Sequence, residues 1–136
     1  PYTGGCLCGN IRYRCTAEPD VTYYCHCDDC RKANGSAFHV GLYLPLPDFE
    51  ITAGVPKHYA VKAESGRTLL RHFCGVCGSH IHITKIGDDK MVSLKAGTLD
   101  EPGQVKPELE IWTRSKVSWA DIPVGIKSFQ RSMQDG

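Results

Sequence analysis

Seven of the eight cysteines fall into three short clusters, and this clustering constrains the fold more than any other feature. The clusters are CLC with Cys6 and Cys8, CHCDDC with Cys25, Cys27 and Cys30, and CGVC with Cys74 and Cys77. Residues at i and i+2 of a strand share one face, so neighbouring sulfur atoms can reach the same metal ion. Disulfide scaffolds are typical of short secreted chains, whereas 136 residues can enclose a hydrophobic core. We therefore predict metal ligation, with reduced thiols that indicate a cytoplasmic or nuclear location.

Length and charge narrow the classes of function. We expect one domain spanning residues 1–136. Sixteen basic residues nearly balance fifteen acidic ones, so no excess of charge favours nucleic acid or an anionic membrane as a partner. No apolar run approaches the roughly 18 residues of a membrane span. Neither nucleic acid nor a membrane is therefore an expected partner.

The segments between the glycines and prolines have the pattern of short β-strands. Runs such as NIRYRC, AFHVGLYLP, TLLRHFC and MVSLKAG are rich in β-branched and aromatic residues. In HIHITKI, Ile81 and Ile83 alternate with polar neighbours, as in a half-buried strand. Many short strands separated by turn signals predict a mainly β, mostly antiparallel fold.

Helical signals are weak. The run DDCRKAN can form at most one or two turns, with Asp28 or Asp29 as its N-cap and the NG dipeptide as its stop. The C-terminal third contains Trp112 and Trp119 but no sustained helical period. We expect this third to run as extended chain over the sheets.

The first and last cysteine clusters complement each other as one metal site. In FCGVCGS a glycine follows each cysteine, which lets the backbone turn tightly and direct N–H groups at sulfur. Such a C-x2-C turn is half of a zinc site, and Cys6 with Cys8 can complete it for Cys74 and Cys77. Four thiolates would make this site closed and structural. The alternative is a set of buried thiols without a metal.

The middle cluster offers three ligands and leaves the fourth undecided. Cys25 and Cys27 share a strand face, and Cys30 follows across a turn. His26 should point the other way, so we expect a packed or surface histidine rather than a ligand. Cys15 either completes a closed four-thiolate site or, as we favour, is a small buried group on a strand.

If Cys15 belongs to the core, the middle site has three thiolates and one exchangeable position, as catalytic zinc sites do. A three-thiolate ion suits a substrate thiol as its fourth ligand and would deprotonate it near neutral pH. That thiolate could attack an electrophilic carbon. A closed second site would instead indicate a zinc-stapled binding module. An open site without rate acceleration would indicate a carrier of thiol adducts.

Five motifs in a fixed order give the chain a resemblance to a known family. They are GGCLCGNIRY, CHCDDCRKANGSAF, FCGVCGS, AGTLDEP and IWTRSKVSWADI, and they span residues 4 to about 129. In these motifs the chain resembles the glutathione-dependent formaldehyde-activating enzymes, a family that also contains centromere protein V. The resemblance implies a zinc-stapled β-tent of short antiparallel sheets. It also implies a carbon–sulfur lyase activity that adds glutathione to formaldehyde to give S-hydroxymethylglutathione.

The resemblance further implies two zinc ions per chain, one structural and one catalytic. A three-thiolate site is open to oxidation, so we expect the catalytic ion to be labile. The structural ion would be held by Cys6, Cys8, Cys74 and Cys77, and the catalytic ion by Cys25, Cys27 and Cys30. The expected partners are glutathione and a small aldehyde.

Residues near the middle cluster are candidates for binding the substrate and for moving its proton. Arg31 and Lys32 follow the last ligand and can meet the carboxylates of glutathione, and Gly35 and Phe38 can line the pocket. Candidates for the proton step are His39, His72, His80 and His82. Two further basic candidates are Arg114 and Lys116.

Overall fold

The computed structural model describes residues 2–133, so residue 1 and residues 134–136 of the expected domain lie outside the described part. Its strands are β1 (Tyr2–Gly5), β2 (Arg12–Cys15), β3 (Val21–Cys25), β4 (His39–Pro45), β5 (Phe49–Ala53), β6 (Lys57–Lys62), β7 (Thr68–Phe73), β8 (His80–Lys85), β9 (Met91–Lys95), β10 (Leu109–Ile111) and β11 (Lys127–Ser128). Between residues 2 and 133 the helical structure comprises α1 (Asp28–Asn34) and 3-10 turns at Leu46–Asp48, Ala96–Thr98, Pro102–Gln104 and Thr113–Ser115. The predicted mainly β fold with little helix is confirmed. Within this range, no helix is both long and apolar enough to cross a bilayer.

The strands form two sheets. One sheet has the order β1-β2-β5, and the other has the order β11-β10-β3-β4-β9-β8-β7-β6. Neighbouring strands pair antiparallel, except that β10 runs parallel to both β3 and β11. The chain reaches β10 through a long connection and not through a hairpin, so no tight turn sets its direction.

The main core lies between the two sheets. Leu42 and Leu44 of β4 and Leu94 of β9 are buried there together with Tyr13 of the small sheet. Alternate residues of a strand point to opposite faces, so Ser93 and its in-phase neighbours face away from this core. The large sheet therefore has a second face that is free to carry other side chains.

A second cluster of buried residues covers that face. Tyr23 and Cys25 of β3 pack there against Ile111 of β10, and Trp112 packs at the margin of the cluster. The C-terminal third was expected to run as extended chain over the sheets. It instead adds β10 and β11 to the edge of the large sheet, and Trp119 remains exposed. The mid-chain cysteines and the returning C-terminal segment thus meet on one face.

Candidate metal centres and the adjoining cavity

The first and last cysteine clusters converge into one group of four sulfur atoms. Cys6 and Cys8 follow β1, Cys74 and Cys77 follow β7, and the four sulfur atoms lie within 4.8 Å of one another. The Sγ atom of Cys8 is 3.6 Å from that of Cys6 and 3.8 Å from that of Cys74. A zinc–sulfur bond of about 2.3 Å gives a tetrahedral edge of about 3.8 Å. The spacing and the donor set therefore fit a zinc ion.

Backbone groups around this four-sulfur cluster favour thiolates. The N–H of Ile11 donates to Cys6 Sγ at 3.1 Å, and the N–H of Val76 donates to Cys74 Sγ at 3.4 Å. Hydrogen bonds from Ser79 lower the pKa of Cys77 to about 5. Such donors stabilise the charged form of sulfur, which is the form that binds metal.

The middle cluster also converges, and we call Cys25, Cys27 and Cys30 the trio. Cys25 ends β3, Cys27 precedes α1 and Cys30 lies in its first turn, and their sulfur atoms lie within 4.8 Å of one another. The Sγ of Cys27 caps the helix by accepting the N–H of Cys30 at 3.3 Å. The predicted caps Asp28 and Asp29 were wrong, because the sulfur atom already occupies the capping position.

The end of α1 agrees with the sequence prediction. Gly35 is its C-cap at φ 73°, and its N–H donates to the carbonyl of Arg31 at 2.9 Å. A left-handed conformation is favourable for glycine and costly for most other residues. The NG dipeptide therefore ends the helix one turn after the last sulfur of the trio.

The other candidate ligands lie elsewhere. Cys15 is fully buried in the main core, where its Sγ contacts the carbonyl of Ala17 at 3.5 Å. His26 is also fully buried, and its Nε2 lies 2.8 Å from Glu110 Oε1. Among residues 2–133, no fourth histidine, cysteine, aspartate or glutamate atom comes within 4.8 Å of all three sulfur atoms of the trio.

The trio lines a cavity of about 240 Å³. Its apolar lining includes Tyr43, Leu69, Ile83, Met91, Ile111, Trp112 and Met133. Its polar lining includes Tyr23, His39, Arg71, Lys85, Asp88, Ser93 and Ser132. Trp112 adopts φ 59° and is the single non-glycine residue with positive φ in the described chain, which marks local backbone strain at this wall.

Arg71 contacts the trio directly. Its Nη1 and Nη2 atoms lie 3.8 and 3.7 Å from Cys30 Sγ, and the side chain is buried. Hydrogen bonds from Cys25 and Cys27, assisted by the Arg71 charge, hold the pKa of Cys30 well below its usual range. Hydrogen bonds with Cys27 and Cys30 raise the pKa of Cys25 well above it. The three thiols therefore titrate as one hydrogen-bonded group beside the Arg71 guanidinium.

A buried polar network continues from the cavity along the sheet. The hydroxyl groups of Tyr23 and Ser93 are hydrogen-bonded to each other, and His39 Nε2 lies 3.4 Å from Ser93 Oγ. Burial, reinforced by the charge of Lys95, lowers the pKa of His39 to about 3. Burial also lowers the pKa of Lys95, and the thiolates of the trio oppose that lowering.

The predicted substrate-binding residues occupy several different places. Arg31 pairs with Asp28 Oδ1 at 2.9 Å and does not line the cavity. Lys32 lines a separate groove that shares Arg71 with the cavity. Phe38 packs edge-on against Tyr24 and His26, and Gly35 is the helix cap described above. These assignments stay predictions.

The predicted proton-transfer histidines are divided between two faces. His39 lines the cavity, whereas His80 lines the groove beside Lys32. His72 and His82 stack on each other with ring centroids 4.1 Å apart, and His82 packs against Phe49 of the small sheet. These two rings are therefore on the face opposite the trio.

The two further basic candidates contact other charged groups. Arg114 stacks over Trp112 at 5.0 Å and pairs with Glu64 at 2.6 Å. Lys116 lies 3.4 Å from Glu110. These contacts hold the segment after β10 against Glu64 and against β10 itself.

Sequence reasoning missed Arg71 and Lys95. Both are charged residues in runs whose alternation predicts a half-buried strand, TLLRHF and MVSLK. Arg71 is in phase with Leu69 and Phe73, and a cation on the apolar side of a strand is the signal that could have found it. Lys95 is in phase with the polar Ser93, so no pattern in MVSLK distinguishes it from a solvated lysine.

Two comparisons with known proteins bear on this arrangement. A family model described as "GFA: Glutathione-dependent formaldehyde-activating enzyme" matches residues 1–115. A crystal structure of a protein from Rhodobacter sphaeroides superposes with a TM-score of 0.59 at 17% identity, covering 93% of this chain and 98% of that one. At this identity, the second comparison supports the fold alone.

Proposed function

Because the chain belongs to the glutathione-dependent formaldehyde-activating enzyme family, we propose that it is a zinc-dependent carbon–sulfur lyase. It binds a thiol, glutathione in our proposal, and adds it to a small electrophile such as formaldehyde, or releases it again. We assign this function to a single domain over residues 1–136. Its structural zinc is held by Cys6, Cys8, Cys74 and Cys77, and its catalytic zinc by Cys25, Cys27 and Cys30.

One observation carries the proposal. The trio offers three sulfur ligands on the wall of a cavity, while Cys15 and His26 are committed elsewhere. Three protein ligands beside accessible space are typical of catalytic zinc, whereas structural zinc has four. The four-sulfur cluster of the same chain provides the contrasting closed arrangement.

The reaction is an addition of the thiol to the aldehyde, with no leaving group. The thiol sulfur bonds to the aldehyde carbon, and the proton of the thiol ends on the aldehyde oxygen to give the hydroxymethyl thioether. Zinc bound at the trio supplies Lewis acidity that lowers the pKa of a thiol ligand. Arg71 contributes a fixed positive charge beside Cys30, and the apolar lining limits the access of water.

Two other groups of the chain are proposed to handle the substrate. The Tyr23–Ser93 hydroxyl pair lines the cavity and can pass a proton to the new hydroxyl group. Lys32 lines the groove on the other side of Arg71, which supports a role in holding a carboxylate of glutathione. His39 is a weaker proton donor, since burial keeps its imidazole neutral at pH 7.

The test combines metal content with exchange kinetics. Thiols add to formaldehyde without a catalyst, so rates should be measured by NMR exchange between glutathione and its hydroxymethyl adduct, with and without protein. We expect about two zinc ions per chain and exchange above background. Cys30→Ser should lose one zinc and the rate enhancement while remaining folded, whereas the core substitution Cys15→Ala should retain both.

The alternatives give different results in the same experiment. Two zinc ions with thiol binding but no rate above background would identify a carrier of thiol adducts. Two zinc ions without thiol binding would identify a zinc-stapled binding module. Retention of both zinc ions by Cys30→Ser would refute the assignment of the trio.

A further inference from the structure

We infer that Arg71 and Lys95 make the trio selective for an anionic fourth ligand, so that a thiolate is preferred to a neutral ligand. This inference rests on the proposed function, because it concerns the ligand that completes the same zinc site. It assigns a specificity-determining role to two residues that the cysteine motifs do not include.

The positions of Arg71 and Lys95 relative to the trio are the first reason for this inference. Arg71 of β7 reaches Cys30 with both terminal guanidinium nitrogens, at 3.7 and 3.8 Å. Lys95 of β9 lies on the same face of the strand as Ser93. It is paired with Gly41 of β4, and Gly41 is paired on its other side with Tyr23 of β3. His39 lines both the cavity of the trio and the neighbouring pocket lined by Lys95. The two cations therefore lie on the face of the large sheet that carries the trio, with Arg71 in contact with Cys30 and Lys95 two strands away from Cys25.

The second basis is the lack of a carboxylate counterion. Arg71 is 5% exposed and Lys95 is 7% exposed. Within residues 2–133, neither forms a salt bridge to an acidic side chain, and Arg71 Nε and Lys95 Nζ have no hydrogen-bond partner. A buried cation without an anion is strongly destabilising. Asp29 lines the groove beside Arg71 and Asp88 lines the cavity, but neither forms an ion pair with Arg71 or Lys95. The group that contacts Arg71 directly and can supply negative charge is the sulfur atom of Cys30.

The third basis is the charge of the completed site. A zinc dication with three thiolates has one net negative charge, and a thiolate in the fourth position makes it two. Two buried cations balance that state. With a neutral ligand the same environment would hold one excess positive charge in a region that excludes water, which is unfavourable. The four-sulfur cluster reaches two negative charges with its own cysteines, and its exposed member Cys8 leaves that charge open to solvent.

A cobalt-substituted protein tests the inference without relying on turnover. Cobalt at the trio should report ligand binding in its visible absorption, while cobalt in the four-sulfur cluster provides an unchanging internal control of folding. The probes are 2-mercaptoethanol, which carries no carboxylate, and imidazole, which is a neutral ligand. The variants are Arg71→Gln and Lys95→Met, with Lys95→Arg as the charge-preserving rescue. Lys85→Met is the matched control, since Lys85 lines the same cavity but is only partly buried.

We expect Arg71→Gln and Lys95→Met each to raise the Kd for 2-mercaptoethanol at least about tenfold, with the Kd for imidazole unchanged or lower. Lys95→Arg and Lys85→Met should remain within about threefold of the unmodified protein. Equal changes for both probes, or no change for either, would overturn the inference. An effect of Lys95→Met on glutathione but not on 2-mercaptoethanol would also overturn it, since Lys95 would then bind a substrate carboxylate.

The same titration separates this inference from the proposed function. If the unmodified protein binds 2-mercaptoethanol and both variants bind it equally well, the inference fails and the proposed function stands. If the unmodified cobalt protein binds no thiol, both fail. A variant that loses the cobalt spectrum of the four-sulfur cluster is misfolded. In that case the titration of the variant at the other cation decides, and the same results support or overturn the inference.

Discussion

His26 Nε2 lies 2.8 Å from Glu110 Oε1, and this buried pair joins the loop that carries the trio to the parallel strand β10. The other carboxylate oxygen accepts a hydrogen bond from Ser128 at 2.7 Å. Burial raises the pKa of Glu110, but the hydrogen bonds from Ser128 and His26 outweigh it and leave that pKa lowered. Glu110 is thus an ionised acceptor that holds together three segments distant in sequence.

Glu110→Gln should destabilise the protein by about 1–3 kcal/mol, because the amide keeps the shape of the carboxylate but removes the negative charge that strengthens its contacts with buried His26 and with Ser128. Urea unfolding measures the change. Glu101→Gln, on an exposed residue in the connection before β10, should stay within about 0.5 kcal/mol. Equal stability of the two variants would show that the His26–Glu110 pair does not hold the segments together.

Acid should weaken the fold through His82. Burial, together with the neighbouring His72, lowers the pKa of His82 to about 3. The unfolded chain therefore binds the proton more readily than the native chain, and stability is complete above about pH 6.5 and falls as the pH decreases. His82→Phe should reduce the loss between pH 7.5 and pH 5.5 by about 1 kcal/mol.

Denaturant unfolding at the two pH values checks this prediction. Protonation of the metal-binding thiols affects the parent and the variant alike, so the difference between the two proteins isolates His82. Identical pH dependence in both proteins would contradict the prediction.

Gly41 leaves space that the cavity needs. A Cβ atom built there would lie 2.6 Å from His39 Nε2 and 2.7 Å from Tyr23 Oη, so both side chains would have to move. Gly41→Ala should cost about 1–3 kcal/mol in unfolding free energy and weaken thiol binding. Gly97→Ala is the control, since a Cβ there meets nothing within 4 Å. Equal thiol affinity in both variants would show that the space between Gly41 and the side chains of His39 and Tyr23 is not needed for thiol binding.

Loss of the four-sulfur cluster should unfold the chain. A structural zinc contributes on the order of 10 kcal/mol to folding, which is comparable to the whole stability of a domain. Cys74→Ser should therefore give little folded protein by far-UV circular dichroism, in contrast to Cys30→Ser. A folded Cys74→Ser protein with one zinc would show that this cluster is not essential for the fold.

The pattern of the chain was sufficient to predict the β class and the grouping of the cysteines. The glycines around Cys74 and Cys77 are local features, so the turn there can be inferred from nearby residues alone. The argument that Cys25 and Cys27 share a strand face was wrong, because β3 ends at Cys25 and Cys27 is the helix cap. The alternation in HIHITKI predicted strand β8. The strand is not half-buried, however, since Ile81, His82 and Ile83 are all buried. The family resemblance was confirmed by the match over residues 1–115.

The surroundings of the trio could not be predicted in the same way. Arg71 reaches Cys30 across 41 positions of sequence, and Trp112 reaches the cavity through the parallel pairing of β10 with β3. Such contacts depend on strand order, which periodicity does not encode. Arg31 and Lys32, which follow the trio in sequence, were predicted to bind the substrate carboxylates. Arg31 instead forms an ion pair with Asp28, one helical turn away.

The parallel insertion of β10 beside β3 also sets an order of events during synthesis. A nascent chain can assemble the four-sulfur cluster once Cys77 has left the ribosome. Ile111 and Trp112, which close one wall of the cavity, emerge later. Until then the cavity lacks this wall, and we expect the sulfur atoms of the trio to be more accessible to oxidants and competing ions. If the trio is the zinc site proposed above, translation pausing between these points would prolong the interval in which it could take up the wrong metal ion.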